Sequence, residues 1–124
     1  MSDPVSLIIR FKVKKGKFDD FRKHYKNSIP PVEAGKPGTL VQLAYENEDA
    51  TEVSVLRLFS SADAMEAHLQ GSGERSKKTY EYVTPISIEI LGRPNASIIE
   101  RMKKTAGSGV ALSVNLHYIG GFIR

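Results

Sequence analysis

Hydrophobic and polar residues alternate with a period of two in four stretches of this chain. Because successive side chains of a strand point to opposite faces, the alternation predicts strands. The predicted strands span residues 5–14, 39–46, 51–59 and 86–90. Residues 17–28 and 61–70 instead carry hydrophobic side chains three or four positions apart, which predicts two amphipathic helices. The order is therefore strand, helix, strand, strand, helix, strand.

Local signals indicate where these helices begin and end. Pro30 and Pro31 are expected to end the first helix, since neither can donate a backbone hydrogen bond, and residues 32–38 are expected to form a loop. Ser60 or Ser61 can cap the second helix. Both helices are thus predicted to be short.

The element order corresponds to two β-α-β units, which predicts an α+β ferredoxin-like sandwich with helices on one face of an antiparallel sheet. The strand at 51–59 is hydrophobic on both sides, with Val55 and Phe59 on one and Leu56 and Leu58 on the other. Such a strand lies between two layers. Since the helices cover only one face, we expect a second copy of the chain to cover the other, in a two-fold symmetric homodimer.

The C-terminal part adds a helix and a strand. Asn95 is placed to cap a helix over 96–105, and a turn is expected at 106–109. Hydrophobic residues then alternate over 110–118, which predicts a strand that either extends the sheet or crosses to the partner subunit. A short helix or an irregular segment is predicted at 74–82.

The length of 124 residues allows one hydrophobic core, so we expect a single domain over residues 1–124. Its core is predicted at residues 5–91, and the α-β pair at residues 95–124 is an extension of that core.

Composition excludes several classes of function. The chain has no cysteine, so disulfides and thiolate catalysis are excluded, and its three histidines, His24, His68 and His117, have no metal-ligand spacing. The net charge of +4 comes from basic residues interrupted by acidic ones, without a nucleic-acid-binding signature, so no nucleic acid partner is expected. The hydrophobic run 7–9 ends at Arg10, too short for a signal peptide or a membrane span. We expect a cytoplasmic protein without membrane attachment.

One stretch carries a family resemblance. Residues 59–68 read Phe-Ser-Ser-Ala-Asp-Ala-Met-Glu-Ala-His, and an earlier strand ends in Tyr45-Glu46. Together they resemble the antibiotic biosynthesis monooxygenase domain, over roughly residues 5–91. The resemblance implies a dimeric α/β barrel with a cavity between helices and sheet in each subunit. It also implies oxidation without metal or flavin, so no cofactor is expected.

Two positions depart from that family's pattern. Arg57 stands where the family usually has glutamate, and Phe59 stands where it usually has tryptophan. The haem-degrading relatives use a cavity tryptophan and a haem-ligating histidine beyond the second helix. Because this chain has no tryptophan, and no histidine between Gln70 and Pro85, haem degradation is not expected.

Two residues are candidates for catalysis. His68 is either a general base or substrate hydrogen-bond partner, or a buried histidine that fixes the helix to the sheet. Arg57 either holds a carboxylate or enolate in the cavity, or pairs across the hairpin with Glu46 or Glu52. Both pairs of alternatives stay open at the level of sequence.

Three further residues are candidates for substrate binding: Phe59, Tyr45 and Arg10. Phe59 is expected at the cavity, and Tyr45 either presents its hydroxyl to a ligand or packs with only its tip in water. Arg10 either faces the same cavity or is exposed and salt-bridged.

The sequence therefore supports two hypotheses for function. The first is a cofactor-independent monooxygenase that acts on a small aromatic or quinol-type substrate. The second is a non-catalytic dimeric protein that binds a small ligand or serves as a scaffold. The cavity separates them, because converging polar groups around an open cavity suit an enzyme or binder, whereas a filled cavity suits a scaffold.

Overall fold

The computed structural model of the protein describes residues 3–107 and 109–124. Their secondary structure comprises five strands and four helices. In chain order these are β1 (Val5–Val13), α1 (Phe18–Gly35), β2 (Thr39–Glu46), β3 (Glu52–Phe59), α2 (Ala62–Leu69), α3 (Gly73–Thr79), β4 (Val83–Leu91), α4 (Ala96–Ala106) and β5 (Ala111–Asn115). Within these described residues, no helix combines the length and hydrophobicity needed to cross a membrane. The predicted turn at 106–109 includes Ser108, which lies outside the described residues.

The sheet has the strand order β2-β3-β1-β4-β5. β1 pairs antiparallel with both β3 and β4, and β2 pairs antiparallel with β3, so the predicted ferredoxin-like α+β sheet is confirmed. β5 pairs parallel with β4, and the connection between them contains α4, as a parallel pair requires. The last strand therefore extends the sheet of its own chain.

α1 is longer than predicted, because it continues through Pro30 and Pro31 to Gly35. The prediction that the helix ends at Pro30 and Pro31 was therefore wrong, and so was the prediction of a loop over most of residues 32–38. Val32, just beyond the prolines, is only 5% exposed, so packing of the last turn outweighs the backbone hydrogen bonds that two prolines cannot donate. The amide of Lys36 also donates to the carbonyl of Val32 and closes that turn.

β4 begins at Val83, three residues earlier than predicted, and includes Pro85. The pairing register between β1 and β4 shifts between Arg10 and Phe11, and Ile86 has no partner in the ladder. A bulge of this kind accommodates a proline inside a strand.

One face of the sheet forms the core with the helices. Alternate residues of β1, from Val5 to Val13, are all buried there. Ile98 and Met102 of α4 belong to the same hydrophobic cluster, and each is only 4% exposed. The C-terminal helix is thus packed into the core. Ser61 caps α2 by accepting from the Ala64 amide, as predicted for one of the two serines.

Asn95 precedes α4, but its side chain makes no cap hydrogen bond. It donates to a carboxylate oxygen of Asp63 at 3.2 Å instead. The predicted Asn95 cap is therefore replaced by a contact between α4 and α2, because both helices lie on the same face of the sheet.

The other face of the sheet, called the open face below, is hydrophobic, and no helix of the described residues lies over it. Its residues share one register across β1, β3 and β2, and they are Ile8, Val41, Leu43, Tyr45, Leu56 and Leu58. Leu43 is 43% exposed and Tyr45 is 62% exposed. Residues 116–124 follow β5 without further strand structure, and Ile119 and Phe122 are exposed there.

Candidate functional site

Two adjoining cavities lie between the helices and the sheet. The first, of about 100 Å³, is called the polar chamber, and its polar lining includes His24, Arg57, His68, Arg75 and Thr79. The second, of about 150 Å³, is called the apolar chamber. Its hydrophobic lining comprises Leu7, Ile9, Phe11, Leu69 and Met102, and its polar rim comprises Arg57, Ser76, Thr79, Tyr80, Arg101 and Thr105. Arg57 lines both chambers, as do Phe11, Leu69, Ser76 and Thr79, so the two chambers adjoin at these residues.

Arg57 comes from the helix-facing side of β3, next to Val55 and Phe59 in the alternation. Its Nε donates to Oε1 of Gln42, the opposite residue on β2, at 2.8 Å. Burial lowers its pKa to about 10, with a further contribution from Arg75, so Arg57 remains charged at neutral pH. The sequence alternative, a pair with Glu46 or Glu52, is not observed. Glu46 pairs with Arg22 at 3.0 Å instead.

His68 is held deep between α2 and the sheet and is 3% exposed. Its Nδ1 lies 2.7 Å from Oγ1 of Thr39, and the ring of Phe59 packs edge-on at 5.3 Å between centroids. No described residue makes a hydrogen bond to Nε2, which leaves that atom for a molecule in the polar chamber. Burial, followed by the charges of Arg57, Arg75 and Lys36, lowers the pKa of His68 to about 3, so the imidazole is neutral.

A close backbone approach brings Thr39 to His68. A Cβ added at Gly38 would lie 2.5 Å from the Cβ of Ala64, so only glycine lets the start of β2 pass this close to α2. The Ser60 amide also donates to the Gly38 carbonyl at 2.9 Å. The loop before β2 therefore positions the hydrogen-bond partner of the imidazole.

Two further arginines surround the chambers, and sequence analysis missed both. Arg75 of α3 lines the polar chamber, and none of the described residues pairs with its guanidinium. Arg101 of α4 lines the apolar chamber and donates to the Leu69 carbonyl at 3.1 Å and to Ser72 Oγ at 3.0 Å. Ser76 and Thr79 of α3, and Ser72 just before that helix, face the chamber at helical spacing. A polar stripe of this kind looks like a solvent-exposed face in the sequence, which is why it gave no signal.

α1 contributes His24 and Tyr25 to the polar chamber. The Thr79 hydroxyl donates to the Arg75 carbonyl at 2.8 Å, and Nε2 of His24 lies 2.8 Å from the same hydroxyl. Since the hydroxyl proton is already used, Nε2 of His24 must be the donor. Burial and then Lys78 lower the pKa of His24, whereas burial raises the pKa of Tyr25 against the opposing effects of Arg57 and Gln42.

Comparison with known proteins identifies the family. The sequence profile of the antibiotic biosynthesis monooxygenase family matches residues 4–75, more than half of the chain. The chain belongs to this family. The comparison with curated protein sequences gave no match.

Solved structures of similar fold agree with this family. MupZ from Pseudomonas fluorescens has a TM-score of 0.74 at 14% identity, over 98% of this chain and 91% of that one. Rv0793 from Mycobacterium tuberculosis has a TM-score of 0.63 at 22% identity, over 77% and 99%. SnoaB, a cofactor-independent oxygenase from Streptomyces nogalater, has a TM-score of 0.63 at 16% identity, over 77% and 97%. The MupZ match spans the C-terminal α4 and β5, which lie outside the family profile.

This antibiotic biosynthesis monooxygenase family member brings together only some of the residues singled out by sequence. Arg57 and His68 share the polar chamber. Phe59 is fully buried behind His68 and lines neither chamber. Arg10 is exposed and lies in register with Ser54 and Ser87, on the open side of the sheet.

Tyr45 also points away from the chambers. It lies opposite Ser54 on the open face and borders an outer groove of about 610 Å³ between α1 and the edge of the sheet. Because side chains alternate along a strand, Arg10 and Tyr45 cannot reach the chambers of the same chain. Among the described residues, no cluster of three histidines, aspartates or glutamates suits a metal ion.

Proposed function

We propose that the protein is a cofactor-independent monooxygenase that oxidises a small aromatic or quinol-type substrate in the paired chambers of each subunit of a homodimer. The observation that carries the proposal is the charged Arg57 beside a neutral His68, in a chamber that no described carboxylate lines. Membership of the family and the similarity in fold to an oxygenase that works without a cofactor support it.

The chemistry begins with loss of a proton from the substrate hydroxyl. The charges of Arg57 and Arg75 stabilise the resulting phenolate, which lowers the pKa of the hydroxyl in the chamber. Nε2 of His68, which has no hydrogen-bond partner among the described residues, can bond to the hydroxyl. Because the pKa of His68 is about 3, the imidazole is a weak base, and the arginines supply most of the driving force.

The electron-rich anion then reduces dioxygen directly. For a phenol with a free ring C–H, one oxygen atom forms the new C–O bond, the O–O bond breaks, and the other oxygen leaves as water. The two hydrogens of that water come from the ring C–H and the hydroxyl, so the phenol and dioxygen give a quinone and water. The role of the protein is to hold the anion, exclude bulk water and position the ring.

The chamber sizes favour a single ring. A cavity of about 150 Å³ is large enough to hold a molecule the size of benzene. The apolar chamber has this volume. The polar chamber beyond Arg57 then receives the polar substituent of that ring. Neither chamber is filled by Phe11 and its neighbours, which speaks against a pure scaffold.

Oxygen consumption with a panel of monocyclic phenols and quinols tests the proposal. Arg57→Gln is expected to lower turnover by about 10²–10³-fold, the usual loss when a group that stabilises an anion is removed. His68→Gln is expected to lower it less. Lys77→Gln, which removes an exposed charge from α3, is the matched control and should leave turnover unchanged. Unaltered turnover in the Arg57→Gln variant would refute the role of this arginine.

A non-catalytic dimer that binds a small ligand is the second candidate. The low pKa of His68 favours it, because a proton-transfer catalyst works best with a pKa near the working pH. Binding of phenols without any oxygen uptake, over the whole panel, would establish this alternative and exclude the oxygenase.

A further inference from the structure

We propose that the substrate is a monocyclic carboxylic acid, with its carboxylate held in the polar chamber by Arg57 and Arg75 and its ring in the apolar chamber. The inference rests on the proposed function in one respect, that the bound molecule is the substrate. The site itself is argued from charge, shape and hydrogen bonding.

The first argument is uncompensated charge. Arg57 and Arg75 are both half-buried and line the polar chamber, the exposed Arg101 borders the apolar chamber, and no described aspartate or glutamate lines either chamber. The ion pairs among the described residues use other cations, namely Arg22, Lys78 and Lys103. Placing several cations around a partly desolvated cavity is costly unless an anion joins them.

The behaviour of neighbouring groups points to the same positive potential. The charges of Arg57 and Arg75 both disfavour protonation of His68 and lower its pKa, and Arg75 also lowers the pKa of Arg57. These effects require the groups to lie close together. A bound anion would relieve the repulsion between the two arginines.

The second argument is the orientation of Arg57. Its Nε is occupied by Gln42 at 2.8 Å, and no described acceptor bonds to its two terminal nitrogens. A planar pair of parallel N–H donors matches the two oxygens of a carboxylate. The Gln42 contact fixes the plane of the guanidinium, so the terminal nitrogens are oriented before a ligand arrives.

The third argument is the apolar chamber. Inorganic phosphate would satisfy the arginines but leave the surface formed by Leu7, Ile9, Phe11 and Met102 without a partner. A benzoate-sized molecule occupies both chambers, since a cavity of about 150 Å³ is sufficient for one benzene ring. Because Arg57 lines both chambers, a carboxylate bound to Arg57 lies next to a ring in the apolar chamber.

Titration calorimetry on the full-length protein tests the proposal without turnover. The probes are 2-hydroxybenzoate, whose hydroxyl lies beside the carboxylate and so within reach of the same arginines, the uncharged 2-hydroxybenzamide of the same shape, and inorganic phosphate. We expect the benzoate to bind at least about tenfold more tightly than the amide, a difference that a lost charge-assisted pair accounts for. Equal affinity for benzoate and benzamide, or phosphate binding as tightly as benzoate, would overturn the proposal.

Variants then assign the preference to the arginines. Arg75→Gln is the main variant, because the guanidinium of Arg75 makes no described hydrogen bond and its loss should leave the fold intact. It should abolish most of the preference for benzoate over benzamide, whereas Lys77→Gln, which removes one charge from the same helix, should keep it. Arg57→Lys retains the charge but loses the planar pair of donors and should also weaken benzoate binding. A preference that survives in both arginine variants would refute the assignment.

The two proposals fail separately. Selective benzoate binding without oxygen uptake would leave the anion site in place and exclude the oxygenase. Oxygen uptake with neutral phenols, combined with equal binding of benzoate and benzamide, would leave the oxygenase in place and exclude the anion site.

Discussion

His68 is the clearest case in which the surroundings of one residue decide its chemistry. It is held by Thr39, packed against Phe59 and surrounded by the charges of Arg57, Arg75 and Lys36. Thr39 and Phe59 fix the orientation of the ring, and burial together with the three positive charges lowers its pKa and favours the neutral imidazole. A histidine in this setting positions and bonds to a substrate more readily than it carries a charge.

The first prediction concerns pH. The pKa of His68 is about 3 in the folded protein and 6.5 in the unfolded chain, so the unfolded chain binds more protons between these values. The free energy of unfolding therefore falls as the pH falls below 6.5, by up to about 1.4 kcal/mol per pH unit from this residue. Urea unfolding at pH 7.5, 6.0 and 5.0 measures it, and the slope should be shallower in His68→Gln.

His24 also has a lowered pKa, so some dependence on pH will remain in the His68→Gln variant. The difference between wild-type protein and variant isolates the contribution of His68. If the two curves run parallel from pH 7.5 to 5.0, the imidazole is not excluded from protonation as described.

The second prediction concerns Thr39. Thr39→Val removes the hydroxyl 2.7 Å from Nδ1 of His68 while keeping the shape of the side chain. Leaving a buried polar atom without its partner should lower the free energy of unfolding by about 1–3 kcal/mol. Thr84→Val, at an exposed position of β4, should change it by less than about 0.5 kcal/mol. Equal stability of the two variants would show that the contact contributes nothing.

At the scale of elements, α4 is part of the wall of the site. Arg101 ties it to the end of α2 and to Ser72 before α3, and Met102 contributes both to the core and to the apolar chamber. The family profile ends at residue 75, so this wall comes from the part of the chain that the profile does not cover. The extension therefore shapes the chamber in which we place the ring.

The third prediction tests whether α4 shares the core. Met102 is 4% exposed, so Met102→Ala should lower the free energy of unfolding by about 2–5 kcal/mol. Lys104→Ala, on the exposed side of the same helix, should change it by less than about 0.5 kcal/mol. A single unfolding transition that shifts only in the Met102 variant is expected. A separate early transition for α4 and β5 would show that the extension folds independently.

At the scale of the whole molecule, the open face is the unexplained surface. Its hydrophobic surface runs from Ile8, Leu56 and Leu58 to the exposed Leu43 and Tyr45 of β2. None of the described helices covers it. A hydrophobic sheet face of this extent is a site of association in soluble proteins. We propose that a second copy of the chain packs against this face and removes it from water.

The fourth prediction is that the wild-type protein sediments as a dimer at micromolar concentration. Leu43→Glu should shift it to monomer, because it places a charge within the proposed hydrophobic contact. Lys23→Glu, on exposed α1, changes the charge by two units on the helical side and should leave the dimer intact. A monomeric wild-type protein at these concentrations would refute the assembly.

The sequence by itself determined the element order, the ferredoxin-like sheet and the family. Hydrophobic periodicity and cap residues depend on a few neighbouring positions, so they can be recognised without knowing how the rest of the chain folds. It also placed Arg57 and His68 on elements that face each other. Arg10 and Tyr45 were predicted to join Arg57 and His68 because of their side-chain chemistry. The alternation of side chains along β1 and β2 places both on the opposite face of the sheet.

Only the tertiary structure decided the rest. The continuation of α1 through Pro30 and Pro31 depends on where Val32 packs, and the position of β5 depends on which strand edge is available. Arg75 and Arg101 lie 26 residues apart in sequence and come together around the chambers only because α3 and α4 pack on the same sheet. The electrostatic potential of the site depends on charged residues from distant parts of the chain. Local sequence patterns cannot predict it, because they do not show which distant residues pack together.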